Sequence, residues 1–400
     1  MKFAFVFDYN PFQLSSASAL RYSSVIKELL NQGNKVDLFI LGSNLDNTVD
    51  DSEASNVWYF STFKTTSLFR RRLWSYGLKY LAIEVMIRKV SQHIAKEHYD
   101  IVWYSNSYAA LRLLNYKKEK EAKHLLEITE FHDLHTNIIP DKNLIRSYFL
   151  NKEVELFQRS LKKLDVGLFI TKTLCDYYSP YFSPNALLIN FPMIVDPSRF
   201  VNLKKAESTL RVIRYMGSFS NKKDGIDVLI KAFGILAEEY KDVTLELAGG
   251  EHRDKSMQLQ LIKNLELEER IKYVGLIDRT EIPTFLSSAF MLVLARPESK
   301  QAEGGFPTKL GEYLSSGVPV CCTRVGEIPD YLDNEKSIFF AKPGSEKSFA
   351  NAMRRVLENP ELSIKVAENG RHLANSAFSA KIQTKELICK IEKEIIKPKN

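Results

Sequence analysis

Residues 303–320, EGGFPTKLGEYLSSGVPV, set two glycines, a proline and a lysine directly ahead of a short helical pattern and a buried-looking strand. Gly304 and Gly305 let a backbone approach a ligand closely. Pro307 suits the first position of a helix, where its missing N–H would be unpaired anyway. The helix start presents unpaired N–H groups and the positive end of its dipole, so the stretch is built like an anion site and suits a diphosphate. Glu312, about one and a half turns further on, could accept hydrogen bonds from the two hydroxyls of a ribose. The same residues admit a plainer reading, with Gly-Gly as a simple turn and Glu312 as a solvated helix residue.

A second constellation, EITEFHDLH at 127–135, follows a strand-like run and carries two histidines and three acidic residues. His132 and His135 can be read as a metal pair. No third ligand accompanies them and no Asp-x-Asp motif is present, so no metal is expected. Taken alone, His132 fits a structural role as well as a chemical one.

These residues need elements to hold them. A chain of 400 residues exceeds what one core usually organises, so two domains of roughly 150 to 200 residues are expected. Strand-like runs alternate with helical periods throughout. KFAFVF (2–7) precedes a helical stretch at 16–32, Gly33 and KVDLFIL (35–41); a strand at 58–60, DIVWYS (100–105), HLLEIT (124–129), a helix at 141–163, VGLFIT (166–171) and ALLINF (186–191) follow. The second half repeats the scheme with LRVIRYMGS (210–218), the helical DGIDVLIKAFGILAEEY (224–240), VTLELAGG, IKYVGLI, FMLVLAR, VPVCCTR and SIFFAKP. This predicts an α/β protein of two tandem Rossmann-like domains facing a central cleft. The first spans 1–201, a polar linker 202–209, the second 210–378, and a terminal helix at 379–400 packs back on the first. In open α/β sheets ligands bind beyond the carboxyl ends of the strands, so chemistry belongs in the strand-to-helix loops.

Composition sets further bounds. With 44% hydrophobic and 26% charged residues the chain is an ordinary globular one, and its opening MKFAFVFDYN reads as a strand, broken too early for a signal peptide. No apolar run approaches the roughly 20 residues that span a bilayer, which predicts a soluble cytoplasmic protein. Cys175, Cys321, Cys322 and Cys389 lack metal-ligand spacing and read as reduced core thiols. The net charge of +7 is uneven: the stretch 64–96 includes Arg70, Arg71, Arg72 and Lys79 interleaved with apolar residues. That pattern fits either a peripheral contact with anionic lipid or a solvated helix packed on a sheet. Nucleic-acid signatures are absent, and no such partner is expected. Neither first loop, DYNPFQLSS nor GSFSNKKDG, supplies the G-x-G-x-x-G of a nicotinamide site, and no P-loop motif occurs.

GGFPTKLGEYLSSGVPVCCTRVGEIPDYL resembles the donor-binding signature of family 4 glycosyltransferases, the retaining enzymes of the GT-B fold. YMGSFSNKKDGIDVLIKAF is similar to that family's first strand-loop-helix of the donor domain, and SIFFAKPGSEKSFANAMRRVLENPE to its closing helices. The resemblance covers 211–378 closely and the first half in layout. It implies transfer of a sugar, with retention, from a nucleotide-diphosphate sugar to a glycan or lipid-linked acceptor, without cofactor or metal. The expected setting is assembly of surface polysaccharide or lipopolysaccharide at the inner membrane face.

On the matching positions, Glu312 takes the ribose and Lys223 neutralises the leaving diphosphate. The implied donor set is Gly217, Ser218, Lys222, Lys223, Gly304, Gly305, Phe306, Pro307, Thr308, Lys309 and Glu312. His132 stands near the reacting sugar with Glu130 beside it, and Asn10 and Ser15 bind acceptor hydroxyls. Two positions depart from the pattern. The first glutamate of the family's E-x7-E motif falls on Gly304, with Glu303 one residue earlier as the catalytic candidate, and Ser218 replaces an arginine. A GT-B epimerase, a phosphorylase and a non-catalytic sugar-binding subunit remain the alternatives.

Overall fold

The computed structural model describes residues 1–13, 16–41, 54–60, 79–116, 121–132, 144–201 and 211–396, with the side chains of 79–82 and 144–149 outside the description. The chain divides into two units, Met1–Phe191 with the segment from Thr384 onward, and Pro192–Gln383.

The first unit holds a seven-stranded sheet of β1 (Lys2–Phe7), β2 (Lys35–Leu41), β3 (Asn56–Phe60), β4 (Ile101–Tyr104), β5 (Lys123–Ile128), β6 (Val166–Phe169) and β7 (Leu187–Asn190), in the order β3-β2-β1-β4-β5-β6-β7. Every pairing is parallel. Helices cover both faces of such a sheet, which is why its strands read as continuous apolar runs rather than alternating ones. Phe3, Phe5 and Phe7 of β1 are all buried, and Phe5 stacks on Trp103 of β4 at 5.0 Å. A buried ion pair crosses this core: Arg21 Nε donates to Glu127 Oε1 at 2.6 Å and Arg21 Nη2 to Phe191 O at 2.7 Å.

The second unit holds six parallel strands, β8 (Arg211–Met216), β9 (Val243–Ala248), β10 (Ile271–Gly275), β11 (Met291–Leu294), β12 (Val320–Thr323) and β13 (Phe339–Ala341), ordered β10-β9-β8-β11-β12-β13. Both units are therefore the doubly wound α/β layout expected from the strand runs. In helix Ile226–Glu239 the spacing of Ile226, Leu229, Ile230 and Phe233 buries one face. The strand order reverses direction between β1 and β4 and between β8 and β11, and at such a switch point the loops diverge and leave a crevice.

Several details depart from the sequence reading. The division falls after Phe191, not at 202–209, a stretch outside the described residues. Residues 192–201 join the second unit because long-range contacts hold them there. Val195 N donates to Phe378 O at 2.8 Å and Ala380 N to Val195 O at 2.9 Å, while Met193 and Val195 pack directly on Gly311. Such contacts have no local signature. Cys321 and Cys322 are buried, and burial pushes both thiols up, Cys322 to about 12. Cys389 is exposed instead of core, since its helix turns Leu387, Ile388 and Ile391 inward. Arg70, Arg71 and Arg72 lie outside the described residues, as does the Lys79 side chain. Helix Lys79–Ile94 buries Ile83, Met86, Ile87, Val90 and Ile94. No described helix is long and apolar enough to cross a membrane.

Candidate active site

The loops after β8 and β11 meet at the switch point of the second sheet. After β8, Ser220 Oγ accepts from Lys223 N at 3.2 Å and starts a one-turn helix, Asn221–Asp224. Gly225 ends that turn at φ +66°, where a Cβ would stand 2.0 Å from Ala295 O at the end of β11. Only glycine lets the two loops approach this closely. The approach turns Asp224 inward, 2% exposed, and leaves Lys222 and Lys223 exposed.

After β11, Thr323 Oγ1 donates to Arg296 O at 2.6 Å, and the buried Arg296 side chain donates to Gln301 O at 3.0 Å. Ser299 caps the short helix Lys300–Gly304, which carries Glu303 exposed and Gly304 buried. Helix Thr308–Ser315 follows, with Pro307 capping it one position ahead of the expected start. Tyr313 fixes the helix to β8: its hydroxyl accepts from Met216 N at 2.7 Å and donates to Met216 O at 3.1 Å.

Lys309 joins the two loops. Its Nζ donates to Asp224 Oδ1 at 2.8 Å and to the Tyr215 hydroxyl at 3.1 Å, and Tyr215 donates onward to Ser218 O at 2.5 Å. A Cβ at Gly217 would lie 2.1 Å from that Nζ, so this glycine makes room for the amine itself. Burial pushes the Lys309 pKa below the usual lysine value; Asp224 opposes the shift, and Lys223 and Arg296 add to it. Lys309 is thus the cation paired with the buried Asp224 carboxylate, with the positive charges of Lys223 and Arg296 near enough to bear on it. Asp224 Oδ2 is buried with no hydrogen-bond partner among the described residues. The expected phosphate cation was Lys223. The residue brought into the junction of the two loops is Lys309, four residues ahead of Tyr313 on the signature helix.

Glu312 is 8% exposed, and Arg199 Nη1 donates to its Oε1 at 2.6 Å. Arg199 has no local signature: it is 113 residues away and falls in the stretch expected to belong to the other domain.

In the first unit His132 stands in the loop beyond the carboxyl end of β5. Its ring meets Phe157 edge-on at 5.3 Å, and its Nε2 lies 2.8 Å from Asn106 Nδ2 in the loop after β4. The buried Tyr178 hydroxyl pins its backbone, accepting from His132 N at 2.6 Å and donating to His132 O at 3.0 Å. Ser105 Oγ, also beyond β4, donates to Asp8 Oδ1 at 3.3 Å beyond β1. Asn106, Ser105 and Asp8 escaped the sequence reading; their signal was the polar Ser-Asn-Ser run following a buried strand. Asn10 is buried and shapes its own loop, donating to the Tyr59 hydroxyl at 2.9 Å while its Oδ1 accepts from Phe12 N at 2.9 Å. Glu130 is exposed, and Ser15 and His135 lie outside the described residues.

Residues 199–373 match the family described as glycosyl transferases group 1. Over 195 residues the chain is 26% identical to the mannosylfructose-phosphate synthase of Agrobacterium fabrum, covering 47% of this chain and 42% of that protein. Over 273 residues it is 23% identical to the O-antigen chain mannosyltransferase RfbU of Salmonella typhimurium, covering 65% of this chain and 72% of that one. The chain therefore spans less than half the length of the first of these relatives. Anabaena Alr3699/HepE, solved in complex with UDP, superposes with a TM-score of 0.70 over 98% of this chain and 100% of its own, at 17% identity, a likeness that shows the fold. The chain has the GT-B fold of two doubly wound α/β domains, and its residues 199–373 are similar to the glycosyl transferases group 1 family.

Proposed function

We propose that this chain is a retaining, metal-independent glycosyltransferase that moves a sugar from a nucleotide-diphosphate sugar to a glycan or lipid-linked acceptor in surface polysaccharide or lipopolysaccharide synthesis, on the cytoplasmic side of the membrane. The observation that carries the reading is the Lys309–Asp224 pair at the β8/β11 switch point, packed against Gly217 and close to the positive charges of Lys223 and Arg296. Breaking the bond between an anomeric carbon and a diphosphate leaves positive charge on the sugar and negative charge on the leaving group. Fixed cations and helix N–H groups aimed at that developing charge stabilise the transition state more than the ground state. Glu312 supplies a carboxylate for the ribose, and the leaving phosphate takes the proton of the attacking acceptor hydroxyl.

Support for the donor class comes from the neighbouring fold solved with UDP, and for the acceptor class from the Salmonella relative named for O-antigen transfer. Each is a property of that protein. Titration with UDP, GDP and ADP identifies the nucleotide. Incubation of the matching sugar donors with lipid-linked saccharide, in buffer with and without EDTA, then tests transfer. Product with the donor's anomeric configuration by NMR, formed equally with the chelator, supports the reading. Nucleotide release or sugar interconversion that ignores the acceptor supports an epimerase or phosphorylase, and tight binding without turnover supports a sugar-binding subunit.

A further inference from the structure

We infer that Arg199 is a positioning residue for the donor's ribose, acting through Glu312; the inference rests on the nucleotide-sugar reading above. Glu312 projects from a helix packed against residues 193 and 195, and a carboxylate so nearly buried needs a partner to stay in place. Arg199 supplies it through one nitrogen, at 2.6 Å to Oε1, while its other terminal nitrogen donates to Arg279 O at 2.9 Å. Two anchors in different directions fix the plane of the guanidinium. Its base is fixed as well: Arg199 stands on the short helix Pro197–Phe200, which Asp196 caps by accepting from Ser198 N at 3.0 Å, and Phe200 is buried.

One oxygen of Glu312 is thereby held. Oε2 accepts no hydrogen bond among the described residues and is not sealed from solvent. An ionised carboxylate has about four acceptor sites, so the pair with Arg199 leaves capacity for both hydroxyls of a ribose. Arg199 determines which way that capacity points. Without it, Glu312 can swing, and the ribose meets a carboxylate that must be ordered at the moment of binding.

The test compares UDP, GDP and ADP with their 2′,3′-dideoxy counterparts on the full chain by titration calorimetry. Hydrogen bonds to a charged group are strong enough that the wild type should prefer the ribose form by about tenfold or more. Arg199→Gln should reduce that preference to about threefold or less while leaving affinity for the dideoxy form within about threefold of wild type. Glu312→Gln should do the same, and the double variant should lose no more than either single one, as two residues acting as a unit require. Arg199→Lys, which keeps the charge but not the two-pronged geometry, should fall between. Equal loss for ribose and dideoxy forms in Arg199→Gln would make the residue a general support of the fold and overturn the inference. Additive losses in the double variant would overturn it too. A wild type that binds a diphosphate nucleotide without ribose preference removes this inference alone; one that binds none removes the nucleotide-sugar reading with it.

Discussion

Lys309 Nζ and Asp224 Oδ1, 85 residues apart in sequence, form an ion pair at 2.8 Å between the helical segments that follow β8 and β11, at the point where the second sheet reverses its strand order. The pair places Lys309, rather than Lys223, at the junction of the two segments. Lys309 stands against the Gly217 backbone, whereas Lys223 is exposed on the outer side of a single helical turn. Lys309→Ala should lower turnover roughly a hundredfold, the loss typical of removing one preorganised charge-stabilising group, and Lys223→Ala by less than about tenfold. Removing one partner of a buried pair also costs about 3–5 kcal/mol of stability, so a Lys309→Met/Asp224→Asn variant, stable but inactive, separates the two effects. Steady-state nucleotide release measures both. The reverse ranking would give the phosphate role to Lys223.

The same pair sets a pH dependence. The Lys309 pKa lies below the ordinary lysine value, chiefly through burial, and Asp224 holds it up. The amine is charged below that depressed value and neutral above it. Affinity for a nucleoside diphosphate should therefore be full at lower pH and fall as pH rises through it. Asp224→Asn removes the upward support, so the fall should move to lower pH. Dissociation constants measured across pH for both proteins check this, and coincident profiles would mean that Asp224 is not the counter-ion.

Gly217→Ala places a methyl group 2.1 Å from Lys309 Nζ and 2.6 Å from the Tyr215 hydroxyl. The lysine end can move aside, but Gly217 stands at φ +158°, a backbone that L side chains rarely adopt, and Tyr215 is buried, so the variant should also lose thermal stability. Turnover should drop nearly as far as in Lys309→Ala, because the displaced amine no longer lies where the diphosphate leaves. A normal rate in Gly217→Ala would show that the amine's place against the glycine is incidental.

How far the sequence foretold this arrangement depends on the range of the interaction. The strands were legible because sheets buried on both faces need unbroken apolar runs, as in VPVCC and FMLVLA. Glu312 and the glycine loop were legible because a helix start and its offsets are local. Lys309 over Lys223 was not. NKKD offers consecutive polar residues, and which one turns inward depends on Gly225 meeting Ala295 O, 70 residues away in the chain. Arg199 was hidden for a similar reason. Its segment belongs to the second unit through the bridge of Val195 to Ser379, a pairing that no periodicity announces.

In the first unit Asn106 bears on the Nε2 edge of His132 at 2.8 Å, while Tyr178 and Phe157 hold its backbone and ring face. If His132 serves the reacting sugar, its ring must be aimed, and Asn106 is the residue that aims it. Asn106→Ala should lower kcat by roughly tenfold with nucleotide affinity unchanged, because the donor loops lie in the other unit. His132→Ala should lower kcat at least as much. Loss of nucleotide affinity in either variant would point to a folding defect instead.

The basic stretch offers the last test. Helix Lys79–Ile94 buries one face in its own unit, which removes Ile83, Met86, Ile87, Val90 and Ile94 from any lipid contact. If Arg70, Arg71, Arg72 and Lys79 face anionic lipid, each contributes about 1 kcal/mol near its surface. Replacing the three arginines with serine should release the protein from acidic vesicles, and salt should mimic the substitution because exposed charges are screened within about 10 Å at 0.1 M ionic strength. Transfer to a soluble acceptor fragment should survive, since the loops that carry Lys309 and Glu312 belong to the second unit. Flotation of both proteins with phosphatidylserine vesicles at low and high salt reads the outcome. Equal binding by the two at low salt would return this stretch to an ordinary solvated surface.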